Sequence, residues 1–114
     1  MSDHDLLDLY RRVIKARQAD IEERKALLFD KAEEVLHALL DNENLSEQEL
    51  EILIDRKDLS VEIIHRLGGD SRILSSYGLK KSLLLNPKTP ASISLKYIGQ
   101  LFTFDVVSIM LVPF

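Results

Sequence analysis

From Leu6 onward, apolar residues recur at helical spacing as Leu6, Leu9, Tyr10, Val13 and Ile14. Ser2, followed three residues later by Asp5, predicts a capping box at the start of that helix, with Asp in the place Glu usually holds. The stripe fades over 15–25, where seven of eleven residues are charged, and resumes as Leu28, Ala32, Val35, Leu36 and Leu39. Two arrangements fit: one long helix, or two helices meeting near Ala19 and Asp20. A continuous helix over 3–41 would reach about 58 Å, too long for a compact domain of this size unless it projects or pairs with a second chain. The pattern favours two helices.

Asp41-Asn42-Glu43-Asn44 is a turn-type cluster. Ser46 then predicts a helix cap and Glu49 closes its box, with Leu45 and Leu50 placed for a hydrophobic staple. That helix carries Leu50, Ile52, Leu53 and Ile54 and meets Asp55-Arg56-Lys57-Asp58. Ser60 caps a short helix over 61–67, ended by Gly68-Gly69, where one glycine is expected to supply a left-handed cap. Residues 71–85 read as a short helix or turn and a further helix, parted near Gly78. Asn86-Pro87-Lys88-Thr89-Pro90 reads as a rigid linker, Thr89 capping the next helix and Pro90 opening it. That helix carries Ile93, Tyr97, Ile98, Leu101 and Phe102, and a last element runs from Asp105 through Val112 to Pro113. No Pro or Gly precedes Gly68, and no Asn-Gly or Asp-Gly hairpin signal occurs. The expected fold is all-α: an N-terminal helical segment over 1–44 and short-helix repeats over 45–114, in one compact domain.

The pieces after 45 share a plan of polar break, cap residue and short amphipathic helix. Arg56 to Ile63 lies on Asn86 to Ile93 without a gap, matching Ile63 with Ile93 and Leu67 with Tyr97. Short amphipathic helices bury their faces by stacking. The run from Tyr77 to Pro90, followed by Ser94-Leu95-Lys96-Tyr97-Ile98, resembles bacterial HEAT-like or leucine-rich-repeat-variant helical repeat proteins with Asn-Pro-x-Thr-Pro linkers. The resemblance is specific over about 77–105, loose over 45–76, and does not reach 1–44. It departs from the family at Val106 to Val112, where a polar, Ala-rich helix is usual, and the sequence stops where another repeat would begin. It implies an α-solenoid fold and a binding or scaffold role, with no catalytic residues to carry over.

The 114 residues contain no cysteine, which excludes disulfides, zinc thiolates, iron–sulfur clusters and thiol catalysis. The acidic N-terminus lacks the regions of a secretory signal, so a reducing cytoplasm is the expected compartment. A net charge of −4 hides an asymmetry: residues 1–58 hold sixteen acids and nine bases, residues 59–114 three acids and six bases. A pI of 5.3 argues against a general nucleic-acid binder. A nucleic-acid-binding repeat using the basic second half stays open as an alternative.

No histidine has an H-x-x-x-H or H-E-x-x-H partner, so His4, His37 and His65 read as packed or partly exposed side chains. Glu34-Val35-Leu36-His37 is one Glu-x-x-His motif where a di-iron bundle needs two, so a metal site on Glu34 and His37 requires an oligomer. Glu33-Glu34 and Glu47, Glu49 and Glu51 otherwise read as a solvated acidic face. The serines of the second half include no Gly-x-Ser-x-Gly elbow, and Gly68-Gly69-Asp70-Ser71 lacks a phosphate-loop ending.

Lys80, Lys81, Lys88 and Lys96 gather around the Asn-Pro linker and offer a docking surface to an acidic protein. From Tyr97 to Phe114 the one charged side chain is Asp105. Gln100, Asp105 and Pro113 interrupt the run and no basic flank follows, so a buried helix or an apolar contact through Phe102, Phe104, Met110 and Phe114 is expected rather than a membrane span. Leu6, Tyr10 and Val13 are candidates for pairing two copies of the chain. The expected function is a non-enzymatic interaction, scaffold or adaptor module of the bacterial cytoplasm, without metal or cofactor.

Overall fold

The computed structural model describes residues 2–97, and these residues contain helices and no strand. The calls on Phe102, Phe104, Met110 and Phe114, and on the element over 105–112, lie outside them. Seven helices are complete: α1 (Asp3–Gln18), α2 (Ile21–Leu27), α3 (Glu33–Leu40), α4 (Glu47–Ile54), α5 (Val61–Gly68), α6 (Ser71–Leu74) and α7 (Tyr77–Leu85). An eighth, α8, is helical over 91–97. No helix of the described residues is long and apolar enough to cross a membrane. The chain divides into two units, Met1–Leu53 and Ile54–Phe114.

In the first unit, the stripe that fades over 15–25 resolves into separate helices. Ala19 turns extended at the end of α1 and Asp20 opens α2, so the chain adopts two helices rather than one at this point. Both starts carry reciprocal capping boxes. The Ser2 hydroxyl accepts from the Asp5 N–H at 3.1 Å, and the Asp20 carboxylate accepts from the Glu23 N–H at 2.9 Å. The resumed stripe does not continue α2 as expected. The chain turns again after Leu28, because Asp30 Oδ1 accepts from the Ala32 N–H at 2.9 Å and sets up α3. The same carboxylate receives Arg12 Nη1 at 2.6 Å, which fastens the turn to α1. α3 then lies against α1 and α2. Its Val35, Leu36, Ala38, Leu39 and Leu40 are all buried, together with Ala16 of α1 and Leu27 of α2. α4 starts as expected: the Ser46 hydroxyl accepts from the Glu49 N–H, and the Glu49 carboxylate accepts from the Ser46 N–H, each at 3.2 Å.

In the second unit, Ser60 caps α5 by accepting from the Ile63 N–H at 3.2 Å. Ile63, Ile64 and Leu67 of this helix are fully buried. The expected left-handed glycine is absent: no glycine among the described residues has a positive φ. Gly69 sits at φ −104° and donates to the Arg66 carbonyl at 3.1 Å, so a tight turn closes the helix instead. Asp70 then caps α6 by accepting from the Arg72 N–H at 2.9 Å. Gly68 serves close packing, since a Cβ there would meet Ile93 Cδ1 at 3.1 Å. α6 and α7 are parted at Ser75 and Ser76, not at Gly78, which lies within the first turn of α7 behind its Ser76 cap. α7 lies against α5 and α6. The Thr89 hydroxyl turns back to donate to the Leu83 carbonyl at 2.5 Å, and the Pro90 carbonyl accepts from Ser94 at 3.0 Å to open α8.

Candidate interaction surfaces

Two buried asparagines organise the turns that precede α4 and α8. Asn42, 2% exposed, donates through Nδ2 to the Ala16 and Ala19 carbonyls at 3.1 and 3.2 Å, and its Oδ1 accepts from the Asn44 N–H at 3.0 Å. Asn86, 7% exposed, donates through Nδ2 to the Ile54 and Arg56 carbonyls at 2.8 and 2.9 Å, and its Oδ1 accepts from the Lys88 N–H at 2.9 Å. Each asparagine thus satisfies carbonyls at or just past the end of an earlier helix.

The backbone repeats the match at the same offset of 44 residues. Asn42 N–H donates to Leu39 O as Asn86 N–H does to Leu83 O; Leu45 donates to Asn42 as Thr89 does to Asn86; Leu50 donates to Ser46 as Ser94 does to Pro90. Buried Val35, Leu39 and Leu53 fall on buried Leu79, Leu83 and Tyr97. Residues 33–53 and 77–97 are identical only at Leu39/Leu83, Leu40/Leu84 and Asn42/Asn86. This spacing differs from the offset of 30 that lays Arg56 on Asn86. At the offset of 30, Ile64 N–H donates to Ser60 O as Ser94 N–H does to Pro90 O, and buried Ile63 and Leu67 fall on buried Ile93 and Tyr97, while Arg56 itself contributes a carbonyl that Asn86 binds.

The carboxylates singled out in the sequence divide sharply. Glu49 is not on a solvated face. It is buried and paired with Arg24, with Nε–Oε2 at 2.7 Å and Nη2–Oε1 at 3.0 Å, while Arg24 Nη1 donates to Ala19 O at 2.8 Å. Burial pushes the Glu49 carboxyl up, but the hydrogen bonds from Arg24 and Ser46 outweigh it and hold the group below its ordinary range. Glu34 is exposed, and His37 Nε2 lies 3.5 Å from a Glu33 carboxylate oxygen. Among the described residues no three metal-ligating side chains converge.

The four lysines expected to form a basic surface all belong to the second unit. Lys81, Lys88 and Lys96 are exposed and Lys80 is half-buried. The same unit holds Asp58 and Asp70. Arg56 grips Asp58 with two hydrogen bonds at 2.9 Å and, with Lys88 nearby, holds that carboxyl down to about 2. Asp70 is likewise gripped by Arg72 at 2.7 and 3.0 Å, which holds its carboxyl below the usual range. These two acids are therefore matched by arginines, and Lys81, Lys88 and Lys96 stand exposed. Between the end of α4 and the turn after α7 lies a shallow depression of ≈ 240 Å³, lined by Ile54, Asp55, Lys57, Ser82, Leu85, Asn86 and Pro87. Leu85 is 73% exposed beside it.

α1 presents the other surface. Leu6, Leu7, Tyr10 and Ile14 are exposed along one face, and Val13 is half-buried. No family model, curated protein or solved structure matches this chain.

Proposed function

We propose that this chain is a non-enzymatic interaction module of the helical-repeat type, a scaffold or adaptor suited to a reducing cytoplasm, that docks an acidic protein segment on its second unit. The observation that carries the reading is the correspondence of 33–53 with 77–97, down to the Asn side-chain bonds and three backbone bonds. An offset of 44 residues falls in the range of HEAT and armadillo repeats, about 40–47 residues. Such helical repeats present their turns and helix faces as extended binding surfaces. At the second turn, the exposed Leu85 and the depression beside it supply an apolar foothold. Lys57, Lys81, Lys88 and Lys96 supply the charge that steers an acidic partner.

The test is fluorescence anisotropy with a labelled glutamate-rich peptide carrying one leucine. Binding is expected to weaken as salt rises, and to weaken ~10-fold or more in a Lys81→Glu, Lys88→Glu, Lys96→Glu variant that keeps its helical circular dichroism. No binding by the parent chain contradicts the reading. Tighter binding of single- or double-stranded nucleic acid, with a steep salt slope, replaces it with the nucleic-acid alternative.

A further inference from the structure

We infer that α1 pairs antiparallel with α1 of a second copy of this chain, about a two-fold axis at Tyr10. α1 buries only Ala16 fully and leaves Leu6, Leu7, Tyr10 and Ile14 between 47% and 62% exposed. At 100° per residue, Asp3, Leu6, Leu7, Tyr10, Ile14 and Arg17 fall on one side of the helix. That side is self-complementary when reversed on itself. Leu6 meets Ile14, Leu7 meets the half-buried Val13, and Tyr10 meets Tyr10. At each end Asp3 meets Arg17.

An isologous contact requires such a patch, in which residue i faces j and j faces i. The charge along α1 selects the direction. Its acids, Asp3, Asp5 and Asp8, lie in the first half and its bases, Arg11, Arg12, Lys15 and Arg17, in the second. Antiparallel packing sets acid against base at both ends, whereas parallel packing sets like against like. The Arg17 guanidinium is available for this role: it is 61% exposed and touches Asp41 only at 4.0 Å. The inference is independent of the acidic-segment reading, because it uses only residues of Met1–Leu53.

The absence of cysteine makes a clean test with single-cysteine variants of the full chain and a short bismaleimide. Tyr10→Cys is expected to cross-link to itself. In the antiparallel pair each end residue lies ~21 Å from its own copy, so Asp3→Cys and Arg17→Cys cross-link to each other ~10-fold faster than each to itself. Analytical ultracentrifugation supplies the second readout. Asp3→Arg or Arg17→Asp alone weakens the dimer about 5-fold, and the double variant restores it. Parent chain that stays monomeric at every concentration overturns the inference and leaves the face to a different protein. Self-cross-linking of all three variants at similar rates, or charge-swapped chains that do not recover, overturns it as well.

Discussion

The pair Arg24–Glu49 joins α2 to α4 across 25 residues of sequence, with both side chains under a tenth exposed. Removing one partner strands a charge. Glu49→Ala is expected to destabilise the chain by ~3–5 kcal/mol, whereas Arg24→Met with Glu49→Leu falls near neutral, because it removes the desolvation cost with the charges. Urea unfolding of the two variants beside the parent chain measures this. The pH dependence follows from the depressed Glu49 carboxyl. Its contribution is fully present above the unfolded value, about 4.3, and is lost as pH falls through the lower folded value. Glu49→Gln should therefore flatten the acid limb of the stability profile. Neither partner was legible as a pair. Glu49 stands in an alternating acidic run that reads as solvated, and nothing local distinguishes Arg24 from Lys25.

At the scale of elements, the local signals carried well. Ser2 with Asp5, Ser46 with Glu49, and Ser60 each hold the cap hydrogen bonds that their spacing predicts. These bonds join residues three apart, so a short window of sequence contains the whole interaction. The break before α3 was missed because its cause is partly distant: Asp30 caps a turn locally, but Arg12 holds it from 18 residues away. Glycine misled in the opposite sense. Gly68 is small because Ile93 packs against it, not because the helix needs a left-handed end. The Asp30 account predicts that Asp30→Ala costs ~1–3 kcal/mol, having lost a turn bond and a partly buried ion pair. The same change at exposed Asp8, which also touches Arg12, should cost under ~0.5 kcal/mol. Thermal melts of the two variants separate these cases.

For the whole molecule, the all-α class was legible from the late, sparse glycines and prolines and from the helical stripes. The correspondence between 33–53 and 77–97 was not, because identity survives at three positions while the asparagine bonds and a few backbone bonds carry the match. Asn42 read as an ordinary turn residue. Its long-range role becomes visible only beside Asn86, whose Asn-Pro linker carried the family resemblance. The same bond pattern gives that linker a physical account: its asparagine closes the end of an earlier helix while its backbone opens the next.

The most direct test of the repeat is the pair Asn42→Asp and Asn86→Asp. Each change keeps the oxygen that accepts from the residue two positions on, and replaces a buried donor with an acceptor facing two carbonyls. Denaturant unfolding at pH 7 is expected to show a similar loss for both, ~2–4 kcal/mol. Each new carboxyl should titrate above its unfolded value, so stability returns as pH falls and the protonated acid donates again. A loss below ~0.5 kcal/mol at either position, or a loss that does not ease on acidification, would contradict the equivalence of the two turns and the repeat built on it.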